Sequence, residues 1–179
     1  MRKRGVALVL VLAFCFFSGE VVLAQMDEDI QKYPSCKYCG MDRQQFAFSR
    51  MFIEYDDGTF MAACSIHCAA VDLATNIDKT PKTLQVGDFN TKKLIDAESA
   101  TWVIGGSKQG VMTKRAKWAF EKKEDAEVFA KVNNGAVSTF DEAMKAAYED
   151  MYSDTKMIRE KRKMMKTKMQ SSAEHKHHQ

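Results

Sequence analysis

Four thiols and an imidazole are gathered between residues 36 and 68. Cys36 and Cys39 stand in a C-x-x-C-G-M motif with Gly40 and Met41, and Cys64, His67 and Cys68 stand in C-S-I-H-C. The chain has five cysteines, and the remaining one, Cys15, lies near the N-terminus. Thiolate and imidazole are ligands for soft and borderline metal ions, so this grouping points to a metal site. Cys36 and Cys39 can both face the mouth of a tight turn because the glycine behind them accepts positive φ, where a side chain would clash.

A hairpin and a helix must bring the two pairs together. Residues 45–55 read as a strand, Asp56-Asp57-Gly58 as its turn and residues 59–63 as the returning strand, ended by Cys64. Ser65 then stands as the N-cap of a helix over 66–75, whose Ile66, Ala69, Ala70, Leu73 and Ala74 recur at helical spacing. The positive end of that helix is expected to lower the pKa of Cys68 and favour its thiolate. The arrangement resembles a treble-clef-like knuckle, in which C-x-x-C is joined by a hairpin to a second cysteine pair at a helix start.

Other readings use the same residues. In an exported protein four cysteines can form two disulfides. A thioredoxin-like redox C-x-x-C would follow a strand and open a helix, and Gly40-Met41-Asp42 does neither clearly. His67 taken alone would be a surface or satisfied core histidine; between two cysteines it is a candidate ligand or a group that orients one.

Residues 1–24 have the three parts of a secretory signal: Arg2-Lys3-Arg4, an apolar run over 6–17, and Val22-Leu23-Ala24 before Gln25. The run is short for a membrane span. Cys15 as a lipid-anchor cysteine would need a small residue where Phe14 stands, so cleavage after Ala24, export to a periplasm and no transmembrane span in the mature chain are expected. The formal charge of the 179 residues is +3, but residues 156–179 hold eight Lys or Arg against Glu160 and Glu174, so the basic character belongs to the tail.

Residues 25–33 read as an acidic linker. A first unit, 34–95, contains the knuckle, the helix and a weak strand over 84–89, followed by a polar crossing over 92–99. A second unit, 96–152, reads as a strand over 100–104, a flexible loop over 105–110, an extended return over 111–120, a helix over 124–132 stopped by Asn133-Asn134-Gly135, and a short strand at Ala136-Val137. Thr139 and Glu142 form a capping box for a helix from Phe140. The order strand, strand, helix, strand thus occurs twice, an α+β fold. The glycine loop matches neither G-x-G-x-x-G nor G-K-[ST], so nucleotide binding is discounted and no nucleic-acid partner is expected. Met112, directly after that loop, is either core filler or a ligand.

The tail, 153–179, reads as a flexible basic segment. Met164, Met165, His175, His177 and His178 make it a possible secondary metal-collecting arm, since thioethers suit Cu(I) and clustered imidazoles suit Cu(II), Zn or Ni. Its charge suits docking to an acidic partner or a membrane surface.

Cys36-Lys37-Tyr38-Cys39-Gly40-Met41, the downstream Tyr55-Asp56-Asp57-Gly58, Trp102-Val103-Ile104-Gly105-Gly106-Ser107 leading to Gly110-Val111-Met112, and the ending Phe129, Gly135, Val137 and Phe140 resemble the NosL family over residues 34–148. NosL proteins are copper chaperones that accompany nitrous oxide reductase. The resemblance implies two ββαβ units related to the core of organomercurial lyase. It also implies a Cu(I) site using Cys36 or Cys39, Met112 and, less directly, Met41. Typical members are lipoproteins and many lack the segment 64–68, so the metal set here can differ from theirs. The residues present no nucleophile, base and oxyanion constellation. The expectation is a non-enzymatic, extracytoplasmic Cu(I) carrier exchanging copper with a donor or receiver protein. The alternatives are a structural zinc knuckle and a thiol-disulfide redox protein.

Overall fold

The structure, a computed structural model, describes residues 27–177, with side chains described as far as residue 170. The proposed signal segment, Cys15 and His178 lie outside the described residues. The elements run α1 (Glu28–Lys32), β1 (Met51–Tyr55), β2 (Phe60–Ala63), α2 (Ile66–Thr75), β3 (Pro81–Gly87), β4 (Leu94–Asp96), β5 (Thr101–Gly105), β6 (Lys117–Phe120), α3 (Lys123–Asn133), β7 (Gly135–Ser138) and α4 (Phe140–His177).

Two antiparallel sheets follow one plan. The first has the order β2-β1-β3-β4 and the second β6-β5-β7, so in each ββαβ repeat the first strand lies between the second and third. In the first sheet, Met51 is paired with Ala63 on one side and Val86 on the other. The strand β1 alternates buried and half-buried residues, with Met51, Ile53 and Tyr55 turned into the core. The repeats meet through an aromatic cluster. Phe89, after β3, lies 5.4 Å from Trp118 and 5.4 Å from Phe120 of β6, 4.8 Å from Phe129 of α3, and 5.9 Å from Phe48. These tilted and edge-on contacts are the favoured aromatic geometries. The Phe89 N–H also donates to Ala119 O at 2.8 Å, and the Glu121 N–H to Asp88 Oδ1 at 2.9 Å.

Three sequence-based expectations about strands are corrected. The strand expected over 45–55 is only its second half: residues 43–49 form successive turns, opened by Asp42 Oδ1, which accepts from the Gln44 and Gln45 N–H groups at 2.7 and 3.1 Å. The competing local hydrogen bonds of an Asp side chain defeat the strand here. The polar crossing over 92–99 contains β4, which pairs with β3. Of the extended return over 111–120, only β6 is strand, and residues 111–115 are bends, with Met112 at φ 61°.

The acidic linker is a structural part of the domain. In α1, Ile30 is buried, and Asp29 receives Arg43 Nη2 at 2.6 Å and Arg50 Nε at 2.9 Å, while Asp27 receives Arg50 Nη2 at 2.7 Å. Both arginines are fully buried, and Arg43 also donates to the carbonyls of Asp29, Tyr33 and Ala63.

The helix expected from Phe140 starts there. The Thr139 N–H donates to Glu142 Oε2 at 2.9 Å and the Glu142 N–H to Thr139 Oγ1 at 3.3 Å, a complete capping box. It does not stop where a flexible tail was expected but runs to His177. The last glycine of the chain is Gly135, and the residues after 155 are mostly Lys, Arg, Met and Glu, all good helix formers. Nothing in that sequence signals a stop.

Candidate metal centre

The knuckle is a short loop closed on itself. The Cys36 N–H donates to Met41 O and the Gly40 N–H to Cys36 O, both at 2.9 Å, while Ser35 and Asp42 form a bridge at its base. Gly40 adopts φ 74°, the left-handed conformation that its place in the motif anticipated. The Lys37 N–H donates to Ala62 O at 3.0 Å, pinning the loop against β2. That strand ends at Ala63, so Cys64 emerges beside the loop, and Ser49 Oγ holds the Cys64 carbonyl at 2.8 Å. Ser65 is extended at the N-cap of α2 without a side-chain cap bond, and the first turn of the helix turns Cys68 inward.

The sulfurs of Cys36, Cys39, Cys64 and Cys68 lie within 4.8 Å of one another. Cys39 Sγ is 3.4 Å from Cys64 Sγ, and Cys64 Sγ is 3.9 Å from Cys68 Sγ. All four are free thiols. A disulfide would need about 2.05 Å. Tetrahedral coordination with metal–sulfur bonds of about 2.3 Å has sulfur–sulfur edges of about 3.8 Å, close to the spacing here. Cys36, Cys64 and Cys68 are buried, and Cys39 is partly exposed.

Charge is unequally shared in this cluster. Hydrogen bonding from the Cys39 thiol, then from Cys64 and Cys68, holds the Cys36 thiol far below its ordinary range. The contact with Cys36 pushes Cys64 and Cys68 up, burial adding to it. Cys68 therefore runs opposite to the expectation drawn from its helix terminus: neighbouring sulfur competes for the same negative charge at closer range than the helix dipole. A soft cation entering the cluster would relieve that competition by drawing off the remaining thiol protons.

A clamp that was not anticipated fixes the knuckle to α2. Asp72, fully buried one turn beyond Cys68, accepts Lys37 Nζ at 2.9 Å, Tyr38 OH at 2.5 Å and the Tyr55 hydroxyl. Burial works to raise the Asp72 pKa, but these donors outweigh it and hold the carboxyl low. No sequence signal marks this clamp, since the donors lie 17 to 35 residues away from Asp72 along the chain.

His67 is buried but is not among the clustered groups; its Nδ1 lies 3.8 Å from Asp154 Oδ2 of α4, and both atoms lack a hydrogen-bond partner. Burial lowers its pKa against the opposing pull of Asp154. Met41 and Met112 line one cavity of about 630 Å³ with Cys39, and Met165 of α4 lines it as well. Met164 is 63% exposed and does not line it. His175 and His177 fall on the helical backbone of α4.

The copper chaperone NosL from Shewanella denitrificans has a similar structure, with a TM-score of 0.52 and 24% sequence identity, over 60% of this chain and 87% of that one. No curated protein matches the sequence. The NosL family model matches residues 27–148, from the acidic start of α1 through the second repeat, and the chain belongs to the NosL family.

Proposed function

We propose that this protein is an extracytoplasmic Cu(I) carrier that takes copper into its cysteine cluster and passes it to a partner metalloenzyme, nitrous oxide reductase being the candidate implied by the family. The observation that carries the reading is the convergence of four free thiols within 4.8 Å, one of which, Cys39, opens onto a cavity that also holds Met41 and Met112. Thiolates bind Cu(I) and zinc alike, whereas thioethers favour Cu(I). A carrier needs an access side where ligands can be exchanged, and Cys39 with the two methionines supplies one. The apolar run and small-residue pattern of residues 1–24 support export to a periplasm. No helix among the described residues is long and apolar enough to cross a membrane.

The near-tetrahedral spacing and the burial of three cysteines favour a second reading, a structural zinc knuckle. Competition decides between them. Protein reconstituted with Zn(II) and then offered Cu(I) in the presence of a Cu(I) chelator should exchange zinc for copper without unfolding. Retention of zinc, or collapse of the fold when zinc leaves, would favour the knuckle.

A further inference from the structure

Past residue 148, where the family match ends, α4 runs along the cavity beside Cys39. We infer that this extension builds a second metal site, made of thioethers and suited to a soft monovalent ion such as Cu(I). In it, Met157 and Met165 of α4 join Met41 and Met112 around the cavity. The inference rests on the soft-metal reading of the cysteine cluster and adds to it a loading position outside the four thiolates.

The helix is seated so that these methionines keep their place. At one end the Lys114 N–H donates to Asp154 Oδ1 at 3.1 Å, in the loop that carries Met112. At the other, Arg162 Nη2 donates to Cys39 O at 3.0 Å, on the knuckle itself. Met157 lies between these anchors and Met165 lies one turn beyond, both on the helix stripe that faces the cavity. Met112 reaches its position through a left-handed backbone, φ 61°, which a residue other than glycine seldom adopts and which the surroundings must hold in place. Methionine serving only as filler closes gaps; here four methionines from three segments surround about 630 Å³ of open space.

The chemistry of the lining selects the ion. Thioether sulfur is neutral, soft and needs no proton removed, so it binds Cu(I) in preference to zinc. Lys161 and Arg162 line the same cavity. Their repulsion acts twice as strongly on a divalent as on a monovalent cation. A Cu(I) ion held there is next to Cys39, the one partly exposed thiol of the cluster, and can pass to it by exchanging thioether for thiolate with no change in oxidation state.

The test compares the full chain with its M157L/M165L variant, leucine keeping volume and apolarity. Both are titrated anaerobically with Cu(I) against a Cu(I) chelator, with the ultraviolet thiolate-to-copper absorption followed in parallel and circular dichroism as the folding control. The wild type is expected to retain a further Cu(I) equivalent that the variant loses or binds about tenfold more weakly, while the thiolate band is unchanged. Equal stoichiometry and equal affinity in the two proteins would overturn the thioether site. If the double variant misfolds, M165L alone carries the test, since Met165 is 64% exposed. A wild type that shows no thiolate band yet loses an equivalent on substitution would overturn the cluster reading and leave the thioether site standing. A chain that retains no Cu(I) would overturn both.

Discussion

Cys39 is the hinge between the closed and open halves of the site. Its three neighbours are buried, whereas Cys39 shares a cavity wall with Met41 and Met112. On the proposed function, copper arriving from that side would meet thioethers and one thiol before it reached the buried sulfurs. M112L should therefore keep the fold, since Leu and Met are close in volume, and weaken Cu(I) retention while leaving zinc binding unchanged. Competition against a Cu(I) chelator at fixed pH, beside a zinc titration, measures this, and equal Cu(I) affinity in both proteins would make Met112 core filler. Asp72 acts at one remove, through the Lys37 and Tyr38 side chains inside the C-x-x-C turn. D72N removes the charge that answers Lys37 and leaves an amide to satisfy three donors. It should lower stability by about 1–3 kcal/mol in denaturant unfolding of the metal-free protein. Unchanged stability would mean that the clamp contributes nothing to holding the knuckle.

At the scale of elements, α1 is held by charge as well as by burial of Ile30. Burial of Asp29 opposes its ionisation, but hydrogen bonds and charge from Arg50 and Arg43 prevail and hold its pKa below the ordinary value. A carboxyl depressed in the folded state contributes stability that is present above its unfolded pKa of about 3.9 and is lost as pH falls through the folded value. D29N should then destabilise the protein at neutral pH by about 3–5 kcal/mol, because the buried Arg43 loses its carboxylate and the buried Arg50 one of its two. The gap between wild type and variant should narrow below about pH 4. Denaturant melts across that range measure it, and a constant gap would exclude the linkage. These ion pairs explain why α1 was not legible in the sequence. Residues 27–33 have no apolar period, and their partners lie at Arg43 and Arg50, the one just before and the other inside a run that reads as strand. By contrast, the bounds of α2, the turn at Asp56-Asp57-Gly58 and the capping box of α4 depend on neighbours within a few residues, and each was readable. Each cysteine pair was readable for the same reason, and the hairpin between them pointed to their meeting across 25 residues. The Asp72 clamp was not, because its donors come from the knuckle and β1.

At the scale of the molecule, the duplicated ββαβ plan puts different sulfur side chains in different repeats. The first contributes the cysteine cluster, the second the loop with Met112, and α4 lies along both, contacting α2 and β5. The cavity is thus a junction of three segments rather than a pocket within either sheet. Such a site can exchange ligands at its α4 side without disturbing the sheets, which suits a carrier whose cargo must leave. If the four cysteines together hold copper as cargo, thiol protection shows it most directly. Freshly isolated protein, stripped of metal without reductant, should show four reactive thiols, and stoichiometric Cu(I) should protect them, with M157L/M165L behaving alike in this respect. Two disulfides in the isolated protein, or four thiols that react equally fast with and without Cu(I), would contradict it.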